Sequence, residues 1–199
     1  MQLKSTLAAA LLAATAAGSA FADAIPYPNS GTQNPTLYSF TAAQTGDITA
    51  YFLGTGASYT EQLGLIVNGV DTGILGLGNH STAVGASQDF GSVNAGDTLV
   101  FYIHVNDIST DWYSVKSMNS DGANHVYSTA YTGGVTGVPV GTYVAFEDLP
   151  ATNSDFNYFD ETFVFTNVAT TPAVPEPANM ALLMAGLGLV GFMARRRRG

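Results

Sequence analysis

Between residues 23 and 168 the chain sustains no apolar pattern of helical period; its apolar residues fall in short stretches rich in β-branched and aromatic side chains. Leu37 to Thr41, Ile48 to Leu53, Gln62 to Val67, Thr98 to Val105 and Thr162 to Val168 read as strands. Turn chemistry separates them: Asn68-Gly69, Asn94-Ala95-Gly96-Asp97, Asp121-Gly122 and Gly133-Gly134. Within one stretch Leu99, Phe101, Ile103 and Val105 alternate with Val100, Tyr102 and His104, which gives one face to a core and the other to a more amphipathic surface. Phe163 and Phe165 should likewise share a buried face, with Val164 on the opposite side. Many short strands at turn-separated intervals specify an all-β fold, an antiparallel β-sandwich with jelly-roll-like connections.

Charge is distributed unevenly. Of 6 Lys and Arg, five lie near the ends (Lys4 and Arg195 to Arg198), whereas all 15 Asp and Glu except Glu176 fall between Asp23 and Ala173. The central segment thus carries about −13, with Lys116 as its one basic side chain. Such a surface repels nucleic acid and phospholipid headgroups and favours cations as partners. Its Tyr, Phe, Val, Leu and Ile content argues for a packed core rather than disorder. Cysteine is absent, which excludes thiol catalysis and cysteine-ligated metal and leaves packing, or a bound metal, to stabilise the domain.

The two ends read as addresses. Residues 1–22 have one early cation, a short apolar stretch and the small-x-small sequence Ala20-Phe21-Ala22, the pattern of a cleaved signal peptide recognised by the Sec translocon. The acidic β-sandwich ectodomain is then expected over residues 23–168, and residues 169–173, small and ending in Pro172-Ala173, read as a linker. Val174-Pro175-Glu176-Pro177 follows, then an apolar run from Ala178 to Ala194, then Arg195, Arg196, Arg197 and Arg198. As a helix the run reaches about 25 Å, a short transmembrane span. The arginines beyond it hold that end in the cytoplasm, so the ectodomain faces outward. This order of motif, helix and basic tail over residues 174–199 resembles the PEP-CTERM sorting signal of Gram-negative bacteria. The resemblance implies processing by an exosortase-type membrane peptidase, an inner-membrane intermediate, and delivery to the cell surface or an exopolysaccharide-rich extracellular matrix.

One constellation inside the domain carries possible chemistry. Glu147 and Asp148 end an apolar stretch, and Asp155, Asn157, Asp160 and Glu161 precede the last one. Clustered like charges cost stability unless a cation neutralises them, and hard oxygen ligands suit calcium. The spacing is not that of an EF-hand: counting from Asp155, Phe159 stands at position five, Asp160 replaces the glycine at six, and Thr166 replaces the glutamate at twelve. A calcium site would therefore be assembled from two loops, with Glu147, Asp148, Asp155, Asn157 and Asp160 as its ligands; a solvated acidic turn is the alternative. The stretch Phe146-Glu147-Asp148-Leu149-Pro150, the later Ser154-Asp155-Phe156-Asn157-Tyr158, and Trp112-Tyr113-Ser114 upstream resemble domain-of-unknown-function family 4114, a family of secreted bacterial proteins. Carried over by position, the same five residues are its acidic or amide positions, with departures at Asn157 and Phe159.

Signs of catalysis are weak. His80, His104 and His125 belong to no nucleophile-elbow or metalloprotease sequence and read as structural. The expected protein is non-enzymatic, an exported surface or matrix module. A carbohydrate-binding module, using aromatics such as Tyr51, Tyr59, Trp112 and Tyr131 to stack on sugars, and a secreted hydrolase with converged carboxylates or a His-carboxylate pair are the alternatives.

Mass determination of the protein recovered from its producing cells tests the two addresses together. The chain should begin at Asp23 and end near Pro175 to Pro177; intact termini in the exported protein would remove both readings.

Overall fold

The structure, a computed structural model, describes residues 24–173. The signal-peptide expectation, with Ala20 and Ala22, and the sorting segment from Val174 to Arg198 lie outside the described residues.

Eleven strands follow in order: β1 (Leu37–Ala42), β2 (Gly46–Thr55), β3 (Glu61–Val67), β4 (Val70–Gly76), β5 (Ser87–Val93), β6 (Thr98–Val105), β7 (Thr110–Tyr113), β8 (Val126–Tyr131), β9 (Gly141–Phe146), β10 (Glu161–Phe165) and β11 (Val168–Ala173). Two 3₁₀ turns, Asn106–Ile108 and Lys116–Met118, complete the described elements. Every pairing is antiparallel. One sheet has the order β11-β1-β6-β3-β4 with β7 also beside β6, and the other the order β5-β2-β10-β9-β8. The nested pairs β1 with β11, β2 with β10 and β3 with β6 give the jelly-roll-like character, while the β8–β9 hairpin extends the second sheet. The Asn68-Gly69 turn joins β3 to β4 with both residues at positive φ, 50° and 81°, as a two-residue hairpin requires.

Alternation along the strands builds the core. Phe40, Leu63, Leu65, Phe101 and Ile103 of the first sheet meet Phe52, Val144, Phe146, Phe163 and Phe165 of the second. Phe101 stacks on Phe165 with ring centroids 3.9 Å apart and planes inclined by 25°, which ties the two layers at their centre. Phe163 and Phe165 share the buried face as expected. Val164 points the other way but is also buried, in a second apolar layer with Leu53, Tyr143 and Ala145 under Tyr27, Tyr131, Val138 and Tyr158. The five-stranded sheet is thus covered on both sides, which accounts for the unbroken apolar runs Tyr143 to Phe146 of β9 and Phe163 to Phe165 of β10.

Two expectations need correction. The stretch Thr162 to Val168 is not one strand: β10 stops at Phe165, and Asn167, at φ +61°, reverses the chain while its amide bonds Gln44 in both directions. Residues 169–173 are not a linker but most of β11, paired with β1 from Ala42–Val168 to Leu37–Ala173. Its composition misleads because a sheet-edge strand needs backbone pairing more than large side chains, and an edge tolerates Pro172. β4, β5 and β8, whose stretches give no strong strand signal, likewise lie at sheet edges.

Removing residues 168–199 should therefore lower the melting temperature relative to removing 174–199 alone; equal melting would restore the linker reading. Phe163→Ala should cost about 3–5 kcal/mol in denaturant unfolding, and a cost under about 1 kcal/mol would contradict the core placement.

Candidate cation site

The register of β9 against β10 sets Glu161 opposite Phe146, so the residues just past β9 (Glu147, Asp148) and just before β10 (Asp160) lie side by side. The Asp160 N–H donates to the Phe146 carbonyl at 3.1 Å, and the Asp148 N–H donates to Asp160 Oδ2 at 2.9 Å. One carboxylate oxygen from each of Glu147, Asp148 and Asp160 lies within 4.8 Å of the others, and all three residues are buried. Three of the five expected ligands are thus brought together from two chain segments.

Two further carboxylates share this end of the sandwich. Glu61 opens β3 on the inward side of Leu63 and Leu65, and Glu161 opens β10 on the inward side of Phe163. Both have 0 % exposure. None of their four oxygens has a hydrogen-bond partner. Glu61 had no sequence signal beyond an acid two residues before a core leucine, far from the other acids; Glu161 was visible as an acid but not as an inward one. The backbone around them is well anchored: Glu61 N–H donates to Asn79 Oδ1 at 3.0 Å, and Thr55 Oγ1 donates to the Asp160 carbonyl at 2.6 Å.

Asp155 and Asn157 are nearby but differently used. Both line a cavity of about 370 Å³ with Asp148, Asp160 and residues 56–59. Asp155 accepts from the Asn157 backbone N–H at 3.0 Å and from its side-chain amide at 2.7 Å, while Asn157 Oδ1 accepts from the Phe159 N–H at 2.7 Å. These bonds shape a loop with Phe156 and Tyr158 at positive φ, 49° and 52°, at the mouth of the cavity. Asp121 does not join the cluster. Its Oδ2 accepts from Ala151 N–H at 2.9 Å and lies 3.0 Å from His125 Nε2.

Electrostatics express the crowding. Burial, and after it the neighbouring Asp148 carboxylate, pushes Glu61 up to about 11. Burial and then the charges of Glu147 and Asp148 push Asp160 up to about 9. Burial raises Glu147 to about 7 despite a Ser154 hydrogen bond that lowers it, and Glu161 stands well above the carboxylate range through burial and the Asp148 charge. Lys116, exposed on a 3₁₀ turn, is the one Lys or Arg among the described residues. No described basic side chain forms an ion pair with the cluster.

A buttress holds the Glu147-Asp148 backbone. Trp112 Nε1–H donates to the Asp148 carbonyl at 2.6 Å, and its ring stacks on fully buried His125 at 4.0 Å and 7°. His125 Nδ1 lies 2.9 Å from the Glu147 carbonyl, so both ring nitrogens are occupied. His104 pairs with Asp111 at 2.6 Å on the outer face of the first sheet. Among the described residues no serine or threonine hydroxyl bonds either ring. Trp112 and Tyr131 are buried, and Tyr51 and Tyr59 are half-buried, so these four do not form an exposed sugar-stacking row.

Comparison with known families bears on the tail. The PEP-CTERM protein-sorting motif matches residues 173–198. The chain carries a PEP-CTERM sorting signal. The signal marks a secreted protein with a membrane-anchored sorting segment and implies exosortase processing. The match does not reach Trp112 to Val168, on which the resemblance to family 4114 rests. No match was found among curated proteins or among solved structures. The matched segment begins at Ala173, which still pairs with Leu37, so the sorting signal follows the sheet with no spacer.

The raised carboxyls have a consequence for stability in metal-free solution. A group whose pKa is raised by folding stabilises the fold fully below its unfolded value, and that contribution disappears as pH rises through the folded value. The groups facing one another here come from β3 (Glu61), the end of β9 (Glu147, Asp148), the cavity-mouth loop (Asp155) and the start of β10 (Asp160, Glu161). With chelator present, the melting temperature should fall as pH rises from about 5 to about 9, through the values near 7 for Glu147 and 9 for Asp160. A flat or rising profile would contradict this electrostatic picture.

Proposed function

We propose that this PEP-CTERM protein is an exported, non-enzymatic module of the cell surface or extracellular matrix whose sandwich is closed at one end by bound calcium. The observation that carries the calcium reading is the meeting of Glu147, Asp148 and Asp160 oxygens within 4.8 Å of one another where no basic side chain answers them. Oxygen-only ligands drawn from loops favour calcium, which accepts irregular coordination; magnesium demands a tighter octahedron and gives up its waters reluctantly. An exported location supports a site of modest affinity, because free calcium outside the cell suits extracellular modules of about 10⁻⁴–10⁻³ M strength. The acidic exterior fits a matrix setting, in which calcium can bridge the protein to anionic exopolysaccharide.

A second reading is favoured by one observation: the carboxylates of Asp148 and Asp160 line a cavity of about 370 Å³, as a glycoside hydrolase needs a carboxylate pair at a cleft. Polysaccharide cleavage by the protein that disappears in Asp148→Asn would establish it in place of the non-enzymatic role.

The calcium reading is tested by thermal melting of the full chain in detergent. A ligand that binds only the folded state at about a hundred times its Kd stabilises by about 2.7 kcal/mol. Millimolar calcium should raise the melting temperature by several degrees, magnesium should do less, and Asp160→Asn should lose most of the shift. No calcium-dependent shift in the wild type, or an undiminished shift in Asp160→Asn, would leave the cluster as an acidic turn.

A further inference from the structure

A second cavity lies beside the point where the described chain stops. Leu37 and Tyr38 at the start of β1 line it, together with Val115 and Lys116 of the turn that follows β7, and its volume is about 350 Å³. The same two β1 residues stand in register with the last two of β11, Tyr38 with Pro172 and Leu37 with Ala173. Ala173 is therefore one strand spacing, about 4.8 Å, from a residue of the cavity wall. The wall is apolar and incompletely covered, since Leu37 is 38 % exposed, and no carboxylate lines it. Among the described residues Lys116 forms no ion pair. An acidic domain thus keeps its one Lys or Arg uncompensated beside an apolar surface.

The next residues in the chain are Val174-Pro175-Glu176-Pro177. Neither proline can donate to a neighbouring strand, and Val174 and Glu176, each standing before a proline, favour an extended or polyproline conformation. Segments of that kind bind apolar surfaces lined by aromatic rings, and Tyr38 supplies such a ring. Glu176 is the one carboxylate side chain of residues 174–199, and three extended residues carry it up to about 10 Å from Ala173. We propose that residues 174–177 of this chain dock in the cavity, with Val174 and Pro175 against Leu37, Tyr38 and Val115, and with Glu176 paired to Lys116. The docking goes beyond the calcium reading and does not depend on it. Apolar contact supplies most of the binding, while the ion pair, exposed and screened by water, fixes how the segment lies. The tether at Ala173 makes the encounter intramolecular, so modest contacts suffice. While docked, the processing segment rests on the folded domain, and the peptidase implied by the sorting signal must draw it away before cutting.

Lys4 and Lys116 are the two lysines of the chain, so a zero-length carbodiimide cross-link formed by Lys116 reports which carboxylate it meets. The full chain in non-ionic detergent, mixed from unlabelled and isotope-labelled copies, is cross-linked and mapped by mass spectrometry. The expected product joins Lys116 to Glu176 within one copy, and its yield should fall severalfold in Leu37→Ser, which removes apolar wall and leaves both charges. Val115→Ser, on the facing turn, carries the same expectation and replaces it should Leu37→Ser fail to fold by circular dichroism. An undiminished yield in the folded variant would mean chance contact of a tethered carboxylate and would overturn the docking. Lys116 joined only to carboxylates of the described domain, or to none, would overturn it as well. Lys116–Glu176 products that always mix the two labels would assign the cavity to the segment of a second copy instead.

Discussion

Buried negative charge without a positive partner is the constraint on which this end of the molecule depends. Glu61, Glu147, Asp148, Asp160 and Glu161 are all buried at one end of the sandwich, and the described segment has no Lys or Arg other than exposed Lys116. Left alone, such a group takes up protons, as the raised values of Glu61, Asp160 and Glu147 express. The proposed cation would answer that charge at this end of the sandwich. In a chain without cysteine, it would take the place a disulfide often holds in exported domains.

The rest of the fold positions the cluster. Antiparallel pairing of β9 with β10 brings residues separated by a loop into one row, and the Phe101–Phe165 stack sets the spacing of the sheets that carry Glu61 and Glu161. Trp112 and His125 fill the space behind Glu147 and Asp148, and their polar atoms hold the carbonyls of both. Trp112, a sugar-stacking candidate when read alone, and His125 therefore act here as supports. The second apolar layer, with Tyr27 and Tyr158 over Val164, packs the loop that forms the cavity mouth against the sheet.

How far this was legible in the sequence follows from the kind of signal each part leaves. Strands that alternate against a core, such as β3 and β6, announced themselves, and so did the Asn68-Gly69 turn, because each obeys a local rule. β11 did not, since an edge strand of small residues and Pro172 satisfies its backbone through β1 rather than through its own side chains. Glu147, Asp148 and Asp160 could be grouped because they lie close in sequence on either side of one loop. Glu61 could not, because its place beside Asp148 is set by the packing of one sheet on the other, which no local pattern encodes.

Folding and sorting meet at Ala173, where the sheet ends and the matched PEP-CTERM segment begins. A domain joined so directly to a membrane-anchored sorting signal would be held close to the bilayer until processing, and under the calcium reading its sandwich would complete its folding only after export. The most direct measurement is elemental analysis of the protein isolated from its own producing cells and dialysed to equilibrium against millimolar calcium, read as metal in excess of the dialysis buffer. Calcium at one or more ions per chain is expected. A well-folded native protein that holds no divalent metal would contradict the cation-closed core.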